Sequence, residues 1–286
     1  MRVAWLNAWR SAYLGDKVSK QLLIYERAVP VSRQNHGAIS VKAGNDFGFA
    51  RHVNSVPLMT AEFGAVSPEY AIVFAGEGQE IIPVVLLGVR DNENLFVKED
   101  GAWSGKYVPA FLRRYPFVFA STDAGDNFTL CIDEDFSGAN TDGIGERLFD
   151  SAGERTQYLQ SVLGFLQAYQ QQFIRTQAFT RRLAELDLLE PMQAQFTLPG
   201  NQRMTLTGFQ AVNADRLKAL SGDKLETLAR SDELDLIYAH LHSLRNFTAT
   251  AERLQLPEGG NAIEASVGEA SAQAEEDTAP SASSLN

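Results

Sequence analysis

Cys131 is the single cysteine of this 286-residue chain, so no internal disulfide can form. That suits a reducing compartment without requiring one, since many exported bacterial proteins also lack disulfides. Basic residues are outnumbered: 25 Lys and Arg face 36 Asp and Glu, for a formal net charge of −11. A nucleic-acid binder needs a basic face, which argues against that class. Long apolar runs are also missing. The longest compact patch, Ile81–Val89, is broken by Pro83 and falls far short of the roughly 18 residues that span a bilayer. The stretch Met1–Leu14 is interrupted by Asn7 and Arg10 and has no small-residue cleavage site after it, so it makes a poor signal peptide. A cytoplasmic location is expected, with the cell surface, by an atypical export route, as the alternative.

Catalytic and metal signatures are sparse. The histidines are His36, His52, His240 and His242. The last two lie two apart on a predicted helix and so face different ways, a poor arrangement for joint metal ligation. Asp133–Gly138 resembles the opening of a calcium loop, but its twelfth position is Ile144 rather than glutamate. Gly76-Glu-Gly78 has Ile81 where a third glycine belongs, and no Gly-Lys-Ser/Thr loop is present. There is no Gly-x-Ser-x-Gly elbow. Cys131 sits between Leu130 and Ile132 in a strand pattern and reads as a small core residue. No acid/base pair, cofactor or metal is nominated.

What the chain does have is patterning. Tyr70–Phe74, Ile82–Val89 and Leu95–Val97, separated by turn residues, predict an antiparallel meander. Phe117–Ala120 and Phe128–Asp133 predict a hairpin. Thr60-Ala-Glu-Phe63 has a capping-box flavour and predicts one helical turn. Apolar residues from Tyr158 to Leu189 recur at spacings of three and four, predicting a long helix over about Glu154–Leu188 that ends before Pro191. Gln193–Leu198 and Arg203–Leu206 flank Pro199–Gln202 as a second hairpin, and Asn213 or Asp215 is placed to cap a short helix. Helical patterns over Asp223–Leu228 and Glu233–Asn246 follow. From Pro257 onward the chain carries six acids, no Lys or Arg and few large apolar residues, which predicts a disordered acidic tail over 257–286. Residues 1–17 match nothing that follows. Val18 reads as the natural start, with Met1–Lys17 a mis-annotated start or a flexible extension. The fold expectation is α+β: an antiparallel, strand-rich N-terminal half (21–133) packed against a mainly helical C-terminal half (154–254) with one extra β-hairpin, together one domain over 18–256.

Tyr107–Phe119 concentrates five aromatics, two prolines and two arginines. Arg113 and Arg114 suit a carboxylate or phosphate clamp. Tyr107, Phe111, Tyr115, Phe117 and Trp103 would wall such a site, and His36 or His52 would supply an acid or base. The competing reading is structural: aromatics make core, and arginines at a turn pair with local acids or carbonyls.

Several segments together resemble the bacterial SapC family. They include Val29-Pro-Val-Ser32 with His36, Asn54-Ser-Val-Pro-Leu58, Tyr70-Ala-Ile-Val-Phe74, Leu86-Leu-Gly-Val-Arg90 and Glu93-Asn-Leu-Phe96. Gly101-Ala-Trp103, Tyr107–Phe117, Leu130–Asp133 and Ile237–Leu244 continue the likeness, which covers about Gln21–Leu254. The resemblance implies a surface-layer or peptide-transport association. It also implies partners among flavin-dependent halogenases, cupin-like proteins or TonB-dependent receptor systems, and it carries no catalytic residues. A permease label attached to some relatives conflicts with the absence of a spanning segment. The expectation is therefore a non-enzymatic, soluble accessory or binding protein of an envelope, uptake or peptide-transport system. The alternatives are an enzyme or enzyme partner acting on a small anionic or peptide-like substrate, and a surface-layer structural component.

Overall fold

The computed structural model describes residues 23–42, 44–121, 128–198, 202–254 and 264–269. Met1–Lys17, the proposed start at Val18 and most of the tail lie outside the described residues. The fold is α+β, and every strand pair is antiparallel.

Twelve strands are described: β1 Ala28–Pro30, β2 Ser40–Val41, β3 Ser55–Pro57, β4 Ile72–Ala75, β5 Ile82–Leu86, β6 Phe117–Ser121, β7 Phe128–Asp133, β8 Ala139–Asn140, β9 Glu146–Arg147, β10 Leu189–Leu198, β11 Gln202–Val212 and β12 Glu264–Glu269. A six-stranded sheet runs β12-β10-β11-β4-β5-β3, and two three-stranded sheets run β1-β7-β6 and β8-β2-β9. The continuous apolar runs of β4 and β5 are buried along their whole length, as expected of strands covered on both faces.

The helices are α1 Arg33–His36, α2 Phe63–Val66, α3 Ala110–Arg113, α4 Gln157–Glu185, α5 Ala214–Lys218, α6 Gly222–Arg230, α7 Glu233–Ser243 and α8 Asn246–Glu252. Helix α4 starts at Thr156, whose hydroxyl accepts from the Leu159 amide. It ends earlier than Pro191 implies. Asp187 adopts a left-handed conformation and the Leu188 amide donates to the Leu183 carbonyl, closing the helix by local bonding. Pro191 instead lies inside β10, paired with Gln210 but beyond the reach of β12. Asn213 caps α5 by accepting from the Asp215 and Arg216 amides.

Helix α4 spans two cores. Leu159 and Leu166 join Val41, Phe117, Ile132, Leu148 and Phe149 in the smaller one. Phe179 and Leu183 enter the larger one, around β4, β5 and the β10–β11 hairpin. Where α4 crosses the turn before α2, the Thr176 hydroxyl accepts from the buried Thr60 amide at 3.0 Å and donates to the Gln172 carbonyl at 2.8 Å.

Two expectations are revised. Leu95–Val97 makes only an isolated bridge, Val97 to Trp103. The Asn94 side chain accepts from the Phe96 amide there and supplants the ladder. The extra hairpin expected in the C-terminal half is present as β10–β11, and β11 also joins β4 through Gln210 opposite Phe74, which makes the hairpin part of the main sheet. Within the stretch read as a disordered tail, Glu264–Glu269 forms β12 on the edge of β10, because main-chain pairing does not require large apolar residues.

Candidate functional site

The aromatic-arginine segment lies against a cleft of about 380 Å³. Three stretches far apart in sequence enclose it: Lys42 with Gly44–Phe49 after β2, Leu112–Pro116 at the end of α3, and Phe136–Gly138 after β7. The first and third are held together by the Lys42 amide donating to the Gly138 carbonyl at 2.9 Å. Only glycine fits at 138, since a Cβ there would stand 2.5 Å from the Phe136 ring and 2.6 Å from the Lys42 carbonyl oxygen.

Arg113 and Tyr115 line this cleft, together with Lys42, Asp46, Phe47, Phe49 and Phe136. Arg113 is exposed and is held from behind by neutral oxygens. Its Nε donates to the Val108 carbonyl at 3.0 Å and an Nη donates to the Tyr107 hydroxyl at 3.1 Å. The Tyr107 hydroxyl in turn donates to the buried Glu62 carboxylate at 2.9 Å. Glu62 also accepts from the Ala110 and Met59 amides, so α3 and the turn before α2 share one anchor. Burial, then the charge of Glu62, raises the Tyr107 hydroxyl above the usual phenol value, which keeps it protonated and donating. Among the described residues neither Lys42 nor Arg113 forms an ion pair.

Tyr115 forms the aromatic wall. Phe49 stacks on it at 4.0 Å between ring centres and Phe136 meets it edge-on at 5.3 Å. Its hydroxyl donates to Asp133 at 3.2 Å, and burial and the Asp133 charge hold it well above the usual phenol value. Asp133 is fully buried and also accepts from the amides of Glu26, Arg27 and Asp135. That carboxylate fastens the β1 and β7 ends and the Tyr115 ring at once.

The other sequence-nominated residues lie elsewhere. Arg114 turns away from the cleft into a cage of rings, its guanidinium 4.1 Å from Phe111, 5.3 Å from Tyr169 and 5.7 Å from Tyr25. Its Nε is buried without a hydrogen-bond partner among the described residues. Burial pushes the Tyr25 hydroxyl up to about 12 against the opposing charge of Arg114, and the hydroxyl donates to the Phe117 carbonyl. Trp103 lies behind Phe47, stacks on Phe96, and donates from its indole to the Tyr70 hydroxyl and the Tyr107 carbonyl. Gly105 packs so close to this group that a Cβ would fall 2.1 Å from the Tyr70 hydroxyl. His36 is buried; its Nδ1 accepts from the Ser32 amide and its Nε2 meets Glu134 at 3.2 Å. His52 is exposed on a loop beside the Asn92 carbonyl.

Pairing of two arginines in one clamp therefore does not occur: Arg113 serves the cleft and Arg114 the core. Lys42, Asp46, Phe47, Phe49 and Phe136 were not singled out from sequence, and no local signal links them, since only the fold brings their segments together. Among the described residues no group of three or more His, Cys, Asp or Glu side chains is placed to hold a metal ion, and no helix is long and apolar enough to cross a membrane.

No curated protein and no solved structure matches the chain. The SapC family profile matches residues 31–249. The matched span takes in α1, the whole cleft and the helices that support the main sheet, and the chain belongs to the SapC family.

Proposed function

We propose that this protein is a non-enzymatic binding protein, an accessory to an envelope or nutrient-uptake system, whose cleft holds a small organic anion with an apolar, ring-sized body. One observation carries the reading: Lys42 and Arg113 line a cleft walled by Phe47, Phe49, Tyr115 and Phe136, neither cation forms an ion pair among the described residues, and Asp46 is the one acidic residue beside them in the lining. The volume falls within the roughly 300–1,000 Å³ usual for small-molecule sites. A guanidinium fixed by two neutral acceptors keeps its charge and a set orientation for an incoming carboxylate.

Support for a binding role comes from groups that chemistry would otherwise use. Burial raises the Cys131 thiol, which disfavours a reactive thiolate. Both ring nitrogens of His240 are committed to backbone groups. The partners implied by the family resemblance, a halogenase, a cupin-like protein or a TonB-dependent receptor system, are the proposed recipients or sources of the ligand.

The test is a titration of the full chain with 3-phenylpropionate and with its uncharged amide, followed by calorimetry and by NMR. The carboxylate is expected to bind saturably with a Kd of about 1 mM or below, and the amide about tenfold more weakly or worse. Replacing Lys42 and Arg113 together by glutamine should abolish the difference. Equal binding of acid and amide, no binding of either, or unchanged discrimination in the double variant would each overturn the reading.

A further inference from the structure

A guanidinium is a flat group with two edges that donate in pairs, and the fold uses one edge of Arg113. Nε donates to the Val108 carbonyl at 3.0 Å and Nη2 to the Tyr107 hydroxyl at 3.1 Å. These two nitrogens bound the side edge. The end edge, between Nη1 and Nη2, has no hydrogen-bond or ion-pair partner among the described residues, and Arg113 lines the cleft. The rings of Tyr107 and of Phe165 on α4 each have their centre 5.5 Å from the guanidinium carbon, which narrows its swing further.

Tyr107 is itself fixed. Its hydroxyl proton goes to Oε1 of Glu62 at 2.9 Å. Glu62 is buried, and its two oxygens also accept from the Ala110 amide at 2.7 Å and the Met59 amide at 3.1 Å. The carboxylate cannot swing away without orphaning two amides. With its one proton committed, the phenol oxygen offers Arg113 only lone pairs. The bond to a buried charge polarises that hydroxyl and makes it a stronger acceptor. A buried carboxylate thus orients the cleft cation through a neutral intermediary, without cancelling its charge. Asp46, the acid of the lining, is engaged by its own loop, where Oδ1 accepts from the Gly48 amide at 2.8 Å.

We propose that Tyr107 is a positioning residue that sets the specificity of the cleft: it locks the side edge of Arg113, so that the end edge takes both oxygens of a ligand carboxylate. This rests on the reading of the cleft as an anion site and extends it from charge to geometry. Two parallel N–H···O bonds need two acceptor oxygens in one plane, which a carboxylate has and a carboxamide lacks. Lys42 attracts an anion as a point charge and supplies no such geometry.

The test has two arms, both on the full chain. The first needs no ligand and reads the Arg113 side chain by NMR, its signals assigned by their loss in Arg113→Gln. Individually resolved Nη protons are expected in the unaltered protein. One averaged line is expected in Tyr107→Phe, which keeps the ring and lacks the hydroxyl. Averaged Nη protons in the unaltered protein, or resolved ones in Tyr107→Phe, would overturn the proposal. The second arm compares 3-phenylpropionate with its amide. The preference for the acid, about tenfold in the unaltered protein, should fall to about threefold in Tyr107→Phe with affinity for the amide unchanged. In the Arg113→Gln background the same substitution should change nothing further, because Tyr107 acts through Arg113. An unchanged preference in Tyr107→Phe, or an equal loss in both backgrounds, would overturn the proposal. Absence of any acid preference in the unaltered protein would overturn the reading of the cleft and the specificity with it. Resolved Nη protons beside that result would place the fault in the ligand class rather than in the lock.

Discussion

His240 donates from Nδ1 to the carbonyl of Ile72 at 2.9 Å, across 168 positions of sequence. Its Nε2 accepts from the Val212 amide at 3.0 Å, so one neutral imidazole from α7 joins β4 to β11 where their ladder has a single registered pair. Ser243, one turn on, accepts from the Ile72 amide. Replacing His240 by alanine orphans a buried carbonyl and a buried amide together. The expected cost is about 2–5 kcal/mol, read from urea unfolding.

The same imidazole makes stability depend on pH. Burial lowers its pKa from 6.5 to about 4. Above about pH 6.5 neither the folded nor the unfolded chain protonates it, and it contributes no pH dependence. Between about pH 6.5 and 4 the unfolded chain takes up the proton and the folded chain does not. Stability therefore falls as pH drops through that window, by about 3 kcal/mol in all, and levels off below it. Unfolding free energies measured from pH 7 down to 5 should show this slope in the unaltered protein and a shallower one in His240→Gln.

Asp133 is predicted to be the most sensitive carboxylate. Alanine there leaves three backbone amides and the Tyr115 hydroxyl without their shared acceptor, and a loss of about 3 kcal/mol or more in unfolding free energy is expected. Tyr115→Phe removes only one donor and should cost about 1 kcal/mol. If the two variants are equally stable, Asp133 is not the anchor described.

Thr176→Val tests the seam between α4 and the turn before α2. Valine keeps the shape of threonine but leaves the Thr60 amide unpaired in a buried setting. Stability should drop by about 1–3 kcal/mol in chemical denaturation. Serine at the same position should restore most of it, since the hydroxyl is what the amide needs.

Gly105→Ala tests the packing behind the cleft. The added methyl would collide with the Tyr70 hydroxyl and the Trp103 indole nitrogen. A destabilisation of about 1–3 kcal/mol is expected. The tryptophan emission should also shift, because Trp103 loses the oxygens its N–H now meets.

Local signals made much of the fold readable. The three-and-four spacing of α4, the cap at Asn213, the Phe117–Asp133 hairpin and the runs of β4 and β5 each carry their own signature within a few residues. Long-range pairings left no such mark. That β11 would find β4 depends on Gln210, Phe74 and an imidazole from a third element, and none of these announces the others. The site divides in the same way. Arg113 and Tyr115 stood out by composition, whereas Lys42, Asp46 and Phe136 became neighbours of theirs only through the β2–β8 and β1–β7 pairings. The adjacent arginines looked like a pair, yet their side chains go to opposite duties.

Helix α4 is shared by two cores, and it addresses both with one phase. Leu159, Leu166, Phe173 and Thr180 recur every seven residues and are all buried, with Thr176 and Leu183 on the neighbouring row. Seven residues bring an α-helix almost back to the same azimuth, and one residue turns it by about 100°. The rod thus acts like a shaft keyed at both ends. A single-residue insertion near Gly164 would leave its helical content intact and still force one core to face the wrong way, whereas a seven-residue insertion would preserve the azimuth and only lengthen the shaft. The two halves of this protein are locked to each other by counting as much as by contact.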